Sequence, residues 1–551
     1  MFVAELHTLH TMINRGSGKH SFVRLVLLAF ACLYLAVLAY FKVQLKPLKP
    51  TLFAVPTQSA VERFAQRQSA PPGPKTPLIT SPQVDAVREA ISYAFDGYAK
   101  HAWGFDELMP VSKRGKNAFC QSGATIIDSL STLWLAKLSD RFDKARDWAL
   151  ANDYSKLHSC NLFETNIRIV GGLLSAGALS EDTRFYAQAK IIADLMLPSF
   201  DNDAGLPCNT FPLDRGECAQ ANLAEAGTLV LEFAFLSQVT DDVKYQRAAE
   251  RAMRSIALGR NTSSCLPGLY HSSLDTRTGH GAGSCWASMG GGADSFYEYL
   301  LKIYLLTNKH ASFLPYKQMW DLSMRSTRDN LLRCSKQQHL YIGAGDGGSF
   351  GSNLEHLACF LGGNMVLGDA QAYAQVAAAI TESCVAMYTN TASGLGADGV
   401  EWVGSLPLES CLQNPASHER ADFRVSSGHN LQRPETVESL YYLWRHTGDT
   451  RYRELGWTMF SKLNQTRVAS GGYASVMDVN AGVLSFDDLQ QSFFIAEELK
   501  YFLLLFAQPE DVPMDQERWI FNTEAHPLPV FDPLFASSIG NVCSGAPFVC
   551  A

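Results

Sequence analysis

One unit recurs along this chain: a strongly apolar helix, a short turn holding Asp or Asn, then an amphipathic helix opened by an aromatic residue. Copies include "LSDRFDKARDWA", "LSEDTRFYAQAKIIA", "VTDDVKYQRAAERAM", "LTNKHASFLPYKQMW", "LGDAQAYAQVAAAI" and "HTGDTRYRELGWTMF". Their turn residues are Asp140, Asp182, Asp242, Asn308, Asp369 and Asp449, roughly forty to eighty residues apart. A buried helix joined by a tight turn to an amphipathic one is an αα-hairpin. Repeated hairpins form an open solenoid or a closed ring. The apolar members, such as "TIIDSLSTLWLAKL" and "AGTLVLEFAFLSQV", are apolar almost all round, so they are buried on several sides. The spacing is also too irregular for a solenoid. The sequence therefore predicts one all-α toroid with an inner and an outer layer of helices.

The inner helices carry charge where charge is expensive. Buried Asp and Glu are rare unless they are paired or hold something. Glu164 stands in "CNLFETNIRIVGG" with Arg168 four residues on, on the same helical face. Asp294 and Glu298 repeat that spacing in "GGGADSFYEYLLKIYLL". "LQRPETVESLYYLW" places Pro434 at the first helical position, followed by Glu435 and Glu438. Glu225 and Glu232 lie in "AEAGTLVLEFAFL", and Glu497 lies one turn beyond Phe493 in "LQQSFFIAEELKYFLLLF". An acid in a first helical turn also complements the helix dipole without any function. Five apolar helices with the same feature point instead to an acid-lined cavity on the ring axis. Converging like charges require a cation, a polar substrate or a bound proton. Paired carboxylates of this kind suit glycoside hydrolysis, in which one protonates the leaving oxygen and the other activates water. An aromatic such as Phe493 can pack on a pyranose face. No Ser/His/Asp or Cys/His spacing stands out, and "GAGDGGSFG" follows no clear strand, which weakens a phosphate-binding reading.

The N-terminal region has a different character. An unbroken apolar run from Leu25 to Phe41 is long enough to span a bilayer and precedes no Ala-x-Ala site, so an uncleaved anchor is expected over a signal peptide. Arg15, Lys19 and Arg24 precede it and Lys42, Lys46 and Lys49 follow, which leaves orientation undecided by charge. The expected organisation is a cytosolic tail at 1–21, an anchor at 22–41, a Pro-rich stem at 42–83 and a luminal domain at 84–551. Twelve of the thirteen cysteines lie beyond the anchor without CxxC clustering, which suits an oxidising lumen better than a zinc site. Sequons at Asn261 and Asn464 agree with a lumen. A net charge of −8 with scattered basic residues gives nucleic acid no footing.

From about Val84 to Phe531 the chain resembles the class I α-1,2-mannosidases, glycoside hydrolase family 47. The resemblance rests on "AWGFDELMPVS", "NLFETNIRIVGGLLSA", "AEAGTLVLEF", "GGGADSFYEYLLK", "HLACFLGG", "RPETVESLYYLWR", "SGGYASV", "SFFIAEELKYFLLLF" and "FNTEAHPLP", in family order. It implies an (α/α)7 barrel plugged by a C-terminal β-hairpin. It also implies inverting removal of α-1,2-linked mannose from high-mannose N-glycans, with Ca²⁺ held through Thr523. By the same resemblance Glu164, Asp294 and Glu435 are catalytic, Glu435 as base, with Glu164 and Asp294 both open as the proton donor. Arg168, Arg433, Glu438, Phe493, Glu497 and Glu524 match residues lining the sugar site or the ion's outer shell. His356 matches a cavity histidine, or is a core histidine, and Cys359 and Cys384 match a disulfide. Gly292 stands where single-mannose trimming members have arginine, which implies broad trimming toward a five-mannose glycan. Ala397-Asp398 and Ser131 depart from the family pattern, away from the three acids. The implied setting is a single-pass type II membrane protein of the Golgi or endoplasmic reticulum. A mannose-binding quality-control factor on the same barrel is the alternative.

Overall fold

In the computed structural model, residues 81–212, 220–259, 266–413 and 416–531 are described. The expected tail, anchor, most of the stem and Asn261 lie outside them. Among the described residues no helix is long and apolar enough to cross a membrane. The fold begins where Ser81 caps a helix: its hydroxyl accepts from Val84 N at 3.2 Å, with Pro82 in the first turn.

Among the described residues, seven helical hairpins follow one another around the ring. Ala124–Leu135 packs with Ser139–Ala151, Gly171–Ser180 with Arg184–Met196, and Val230–Thr240 with Lys244–Gly259. Asp294–Leu306 packs with Leu314–Asn330, and Glu435–Thr447 with Arg451–Leu463. The helix Phe360–Thr389 supplies another pair, because its backbone leaves the helical region at Asp369 (φ −159°, ψ 84°). The last inner helix, Leu499–Phe506, takes as its outer partner the first helix of the domain, Pro82–His101. The recurrent turn aspartates explain where the outer helices begin. Asp182, Asp242, Asp369 and Asp449 each accept a backbone N–H two or three residues on, at 2.9–3.2 Å. Inner helices are buried on nearly every face; Val230 to Val239 contains no exposed side chain.

A short antiparallel β-hairpin closes the axis, with Trp519–Phe521 against Pro527–Pro529 and Ile520 opposite Leu528. Its tip is held by Asn522. The amide Nδ2 donates to Ile167 O and Glu232 Oε1, both at 2.9 Å, and Oδ1 accepts from Glu524 N at 3.0 Å and His526 N at 2.8 Å. Gly171 permits this approach, since a Cβ there would lie 2.5 Å from Asn522 Nδ2. The stretch "GAGDGGSFG" differs from expectation: Ala344–Gly345 and Phe350–Gly351 are paired strands, and Asp346 Oδ1 accepts from Gly348 N and Ser349 N within the turn. The loop's own aspartate uses these two amides, so they form no phosphate cradle.

Disulfides join Cys120 to Cys160, Cys334 to Cys411 and Cys359 to Cys384, and Cys208 and Cys285 are also oxidised. Asn464 is exposed at the end of an outer helix. We predict that Asn522→Ala lowers unfolding free energy by about 3 kcal/mol, because it leaves buried carbonyl, carboxylate and amide groups unpaired. Urea titration checks this, and an unchanged midpoint would mean the plug is held mainly by packing.

Candidate active site

The N-terminal ends of the inner helices surround a cavity of about 300 Å³. Glu164, Asp294, Glu298, Glu435, Glu438, Glu497 and Glu524 line it, with Arg168, Arg433, Phe493 and Thr523. Two of the contributing segments are π-turns, Thr165–Val170 and Phe494–Glu498. Such insertions re-aim side chains within a helix and recur at functional sites. One carries Arg168 and the other Glu497.

Arg168 joins the acids of the barrel wall to those of the plug. Its Nε donates to Glu164 Oε2 at 2.7 Å, and its Nη1 pairs with Glu524 and lies 3.8 Å from Asp128 Oδ2. The guanidinium also lies over the rings of Phe119 and Phe493, 4.7 and 5.6 Å from their centroids. Burial would lower its pKa, but Glu164, Glu524, Asp128 and Glu497 outweigh this and hold it above its ordinary value.

Asp294 begins its helix and accepts from Ser295 N at 2.9 Å. Burial, with Glu435 and Glu298 adding repulsion, pushes its carboxyl up to about 7. Gly292 just before it adopts φ +81°, in the left-handed region that favours glycine. Glu298 pairs with buried Lys302, whose Nζ is also 3.8 Å from Glu438 Oε1. Even so, burial pushes Glu438 up to about 8, with Glu298 and Glu435 adding to it. Burial likewise raises Glu497 and Glu524 well above the ordinary carboxylate range.

Glu435 opens its helix, with Pro434 at the cap, one position earlier than the sequence suggested. Its Oε2 meets His356 Nδ1 at 2.8 Å, and His356 Nε2 meets Tyr388 Oη at 2.8 Å and Thr436 Oγ1 at 3.0 Å. His356 is thus not a cavity residue: it is 2% exposed and braces Glu435 from behind. Arg433 Nε donates to Asp398 Oδ1 at 2.7 Å, so Asp398 is coupled to the cavity through Arg433 rather than remote from it. Ser131 does lie apart, with its hydroxyl 3.2 Å from His526 Nδ1 on the plug.

Not every acid expected on the axis faces the cavity. Glu232 is fully buried and accepts from Tyr299 Oη at 2.6 Å, Asn166 Nδ2 at 2.8 Å and Asn522 Nδ2 at 2.9 Å, so its work is to anchor the plug. Glu225 lines the cavity but also closes a capping box with Asn222. Sequence reasoning passed over Asp128, Glu107, Lys302, Lys500 and Glu498. Lys500 donates to Ala525 O at 2.5 Å, and burial pushes its ammonium down to about 7. Glu107 accepts from Ser492 N at 3.2 Å, and burial pushes it up to about 7. The available signal was a lysine inside an otherwise apolar run, in "EYLLKIYLL" and "AEELKYFLLLF".

A helical ring whose axis holds converging carboxylates, an arginine clamp and a half-buried aromatic wall has the make-up of a carbohydrate-cleaving site. The chain belongs to glycosyl hydrolase family 47, whose sequence profile matches residues 90–530. It is 36% identical over 460 residues to a mannosyl-oligosaccharide 1,2-alpha-mannosidase of Arabidopsis thaliana, covering 81% of this chain and 78% of that one. It is 35% identical over 473 residues to an endoplasmic reticulum mannosyl-oligosaccharide 1,2-alpha-mannosidase of Rattus norvegicus, covering 83% and 70%. The solved alpha-1,2-mannosidase from Trichoderma reesei superposes with a TM-score of 0.75 at 30% identity, covering 82% of this chain and 99% of that one.

The raised acids predict how stability responds to pH. Asp294 rises from an ordinary 3.8 to about 7, and Glu438 and Glu498 from 4.5 to about 8. The folded state therefore binds more protons than the unfolded chain across that interval, so stability falls as pH rises through it. Urea midpoints in divalent-free buffer should be highest near about pH 5 and decline toward about pH 8. A midpoint that climbs over this range would contradict the assignment.

Proposed function

We propose that this family 47 enzyme is an α-1,2-mannosidase that trims high-mannose N-glycans toward five mannoses, with inversion at the released sugar. The observation that carries the reading is the juxtaposition of Asp294 and Glu435 in one acid-lined cavity, the former pushed up to about 7. A carboxyl still protonated near neutral pH is suited to deliver a proton to the leaving oxygen. Asp294 takes that role, directly or across one water, while Glu164 is occupied by Arg168. Glu435, aimed by His356, removes a proton from the water that attacks the anomeric carbon on the opposite face. Phe493 offers its ring to the apolar face of the sugar, and Arg433 supplies hydrogen bonds to its hydroxyls.

The donor set fits a Ca²⁺ ion. Thr523 brings hard oxygen atoms to the cavity, surrounded by acids that buried Arg168 and Lys302 do not fully offset. Among the described residues no three His, Cys, Asp or Glu side chains converge closely enough to grip a metal. By the family resemblance Thr523 would hold the ion, and Glu298, Glu438, Glu497 and Glu524 on the same cavity would offset its charge. When bound, the ion supplies positive charge that orients sugar hydroxyls and eases ionisation of nearby water.

Gly292 supports broad trimming. A Cβ there would approach nothing closer than 3.7 Å, so a larger side chain would extend into the cavity mouth that glycine leaves open. The disulfides and the endoplasmic reticulum relatives support residence in the secretory pathway, with the apolar run at 22–41 as a type II anchor.

Two measurements test the reading. Glu435→Gln should lower kcat about 10²–10⁴-fold while glycan binding persists; full turnover in that variant would remove Glu435 as base, and binding with no turnover in the native chain would favour a lectin. Timed digestion of a nine-mannose glycan should pass through successive products, cease with chelator and resume with Ca²⁺. Release of a single mannose would contradict the Gly292 argument, and indifference to chelator would contradict the ion.

A further inference from the structure

A second cavity, of about 310 Å³, lies beside the first, and Gly291 lines both. Its walls include Trp286, Ser288, Asn353 and Glu355, with the backbone of Gly343 and Gly351. None of these residues has a part in the chemistry proposed above.

The wall is built rather than loose. Ala287 and Gly345 exchange backbone hydrogen bonds at 2.9 and 3.0 Å, tying the segment that carries Trp286 to the Ala344–Gly351 hairpin. Ser272 Oγ donates to Trp286 O at 2.8 Å. Trp286 nevertheless remains 40% exposed, and its indole lies against Gly351, where a Cβ would meet Cζ2 at 3.5 Å. Glu355 Oε2 accepts from Gly291 N at 2.8 Å, so the wall between the cavities is fixed by one carboxylate oxygen while the other is left as an acceptor. Ser288 Oγ likewise fixes Gly290 N at 2.9 Å.

An exposed indole edged by hydroxyl, amide and carboxylate groups is complementary to a sugar, which presents an apolar C–H face and a rim of hydroxyls. It offers no cationic side chain for an anion and no wholly apolar surface for a hydrophobic segment. Because the two cavities meet at Gly291, one branched ligand can reach both. We infer that the Trp286 cavity receives a second arm of the same glycan whose terminal mannose occupies the acid-lined cavity. This rests on the proposed mannosidase reading and adds a specificity determinant to it: Trp286 selects branched oligosaccharides over short linear ones.

The experiment compares native enzyme, Trp286→Ala and Trp286→Phe on a free nine-mannose glycan and on an α-1,2-linked mannose disaccharide, in the presence of Ca²⁺. Trp286→Ala should raise KM for the branched glycan about tenfold, the equivalent of losing one aromatic contact, with kcat little changed. Its kinetics on the disaccharide should match the native enzyme, which also shows that the variant is folded. Trp286→Phe should recover most of the affinity. Equal KM values for native and Trp286→Ala on the branched glycan would overturn the inference, as would an equal loss on both substrates. A loss seen only with intact glycoprotein, and not with free glycan, would also overturn it by assigning the cavity to polypeptide. If the native enzyme cleaves neither substrate, the mannosidase reading falls and takes this inference with it; if it cleaves both and Trp286 is silent, only the inference falls.

Discussion

The structure turns on the burial of like charge along one axis. Glu164, Asp294, Glu298, Glu435, Glu438, Glu497 and Glu524 converge there, and buried Arg168 and Lys302 bond directly to only some of them. Burial of charge is costly without compensation, and removing one member of such a set leaves its partners exposed to the full cost. Arg168 is consequently shared between a wall acid, Glu164, and a plug acid, Glu524, so that the barrel and its stopper are joined by one guanidinium. The remaining excess of negative potential is the property a polyhydroxylated ligand or a divalent ion can use.

Rigid elements hold this crowd in place. Asp294 and Glu435 stand at the first residues of inner helices, where the backbone is fixed by the ring, and the π-turns carry Arg168 and Glu497 on the cavity wall. His356, Tyr388 and Asp398 then restrain the residues that line the cavity without lining it themselves. A site organised this way pays little reorganisation cost when a substrate binds.

Much of this was legible in the chain. The hairpin unit gave the toroid because helical periodicity and turn chemistry are local properties, and the acids on apolar helices marked the axis. What a helical face meets across the ring is not local. Glu232 and Glu435 look alike in sequence, yet one is tied to Asn522 and the other opens on the cavity. The same limit hid Arg168 to Glu524, separated by 356 residues, and the bracing of Glu435 by His356, which the sequence left open between a cavity and a core histidine. Lys302 and Lys500 were overlooked because a single lysine in an apolar run is usually explained by its long stem reaching solvent; here both are buried and bonded.

The ring is closed by its two ends in sequence: Pro82–His101 is the outer partner of Leu499–Phe506, and Tyr93 Oη reaches Val468 O at 2.8 Å. During synthesis this first helix of the described domain leaves the ribosome long before its partner Leu499–Phe506, against which it buries its apolar stripe. Closure of the circle, and with it the gathering of acids around the hairpin plug, requires Leu499–Phe506 and the hairpin that follows it. Contacts of such long range form late and leave apolar surface uncovered in the meantime. A chain that lacks Leu499–Phe506 would leave the apolar stripe of Pro82–His101 without its inner partner, and the seam of the ring unsealed.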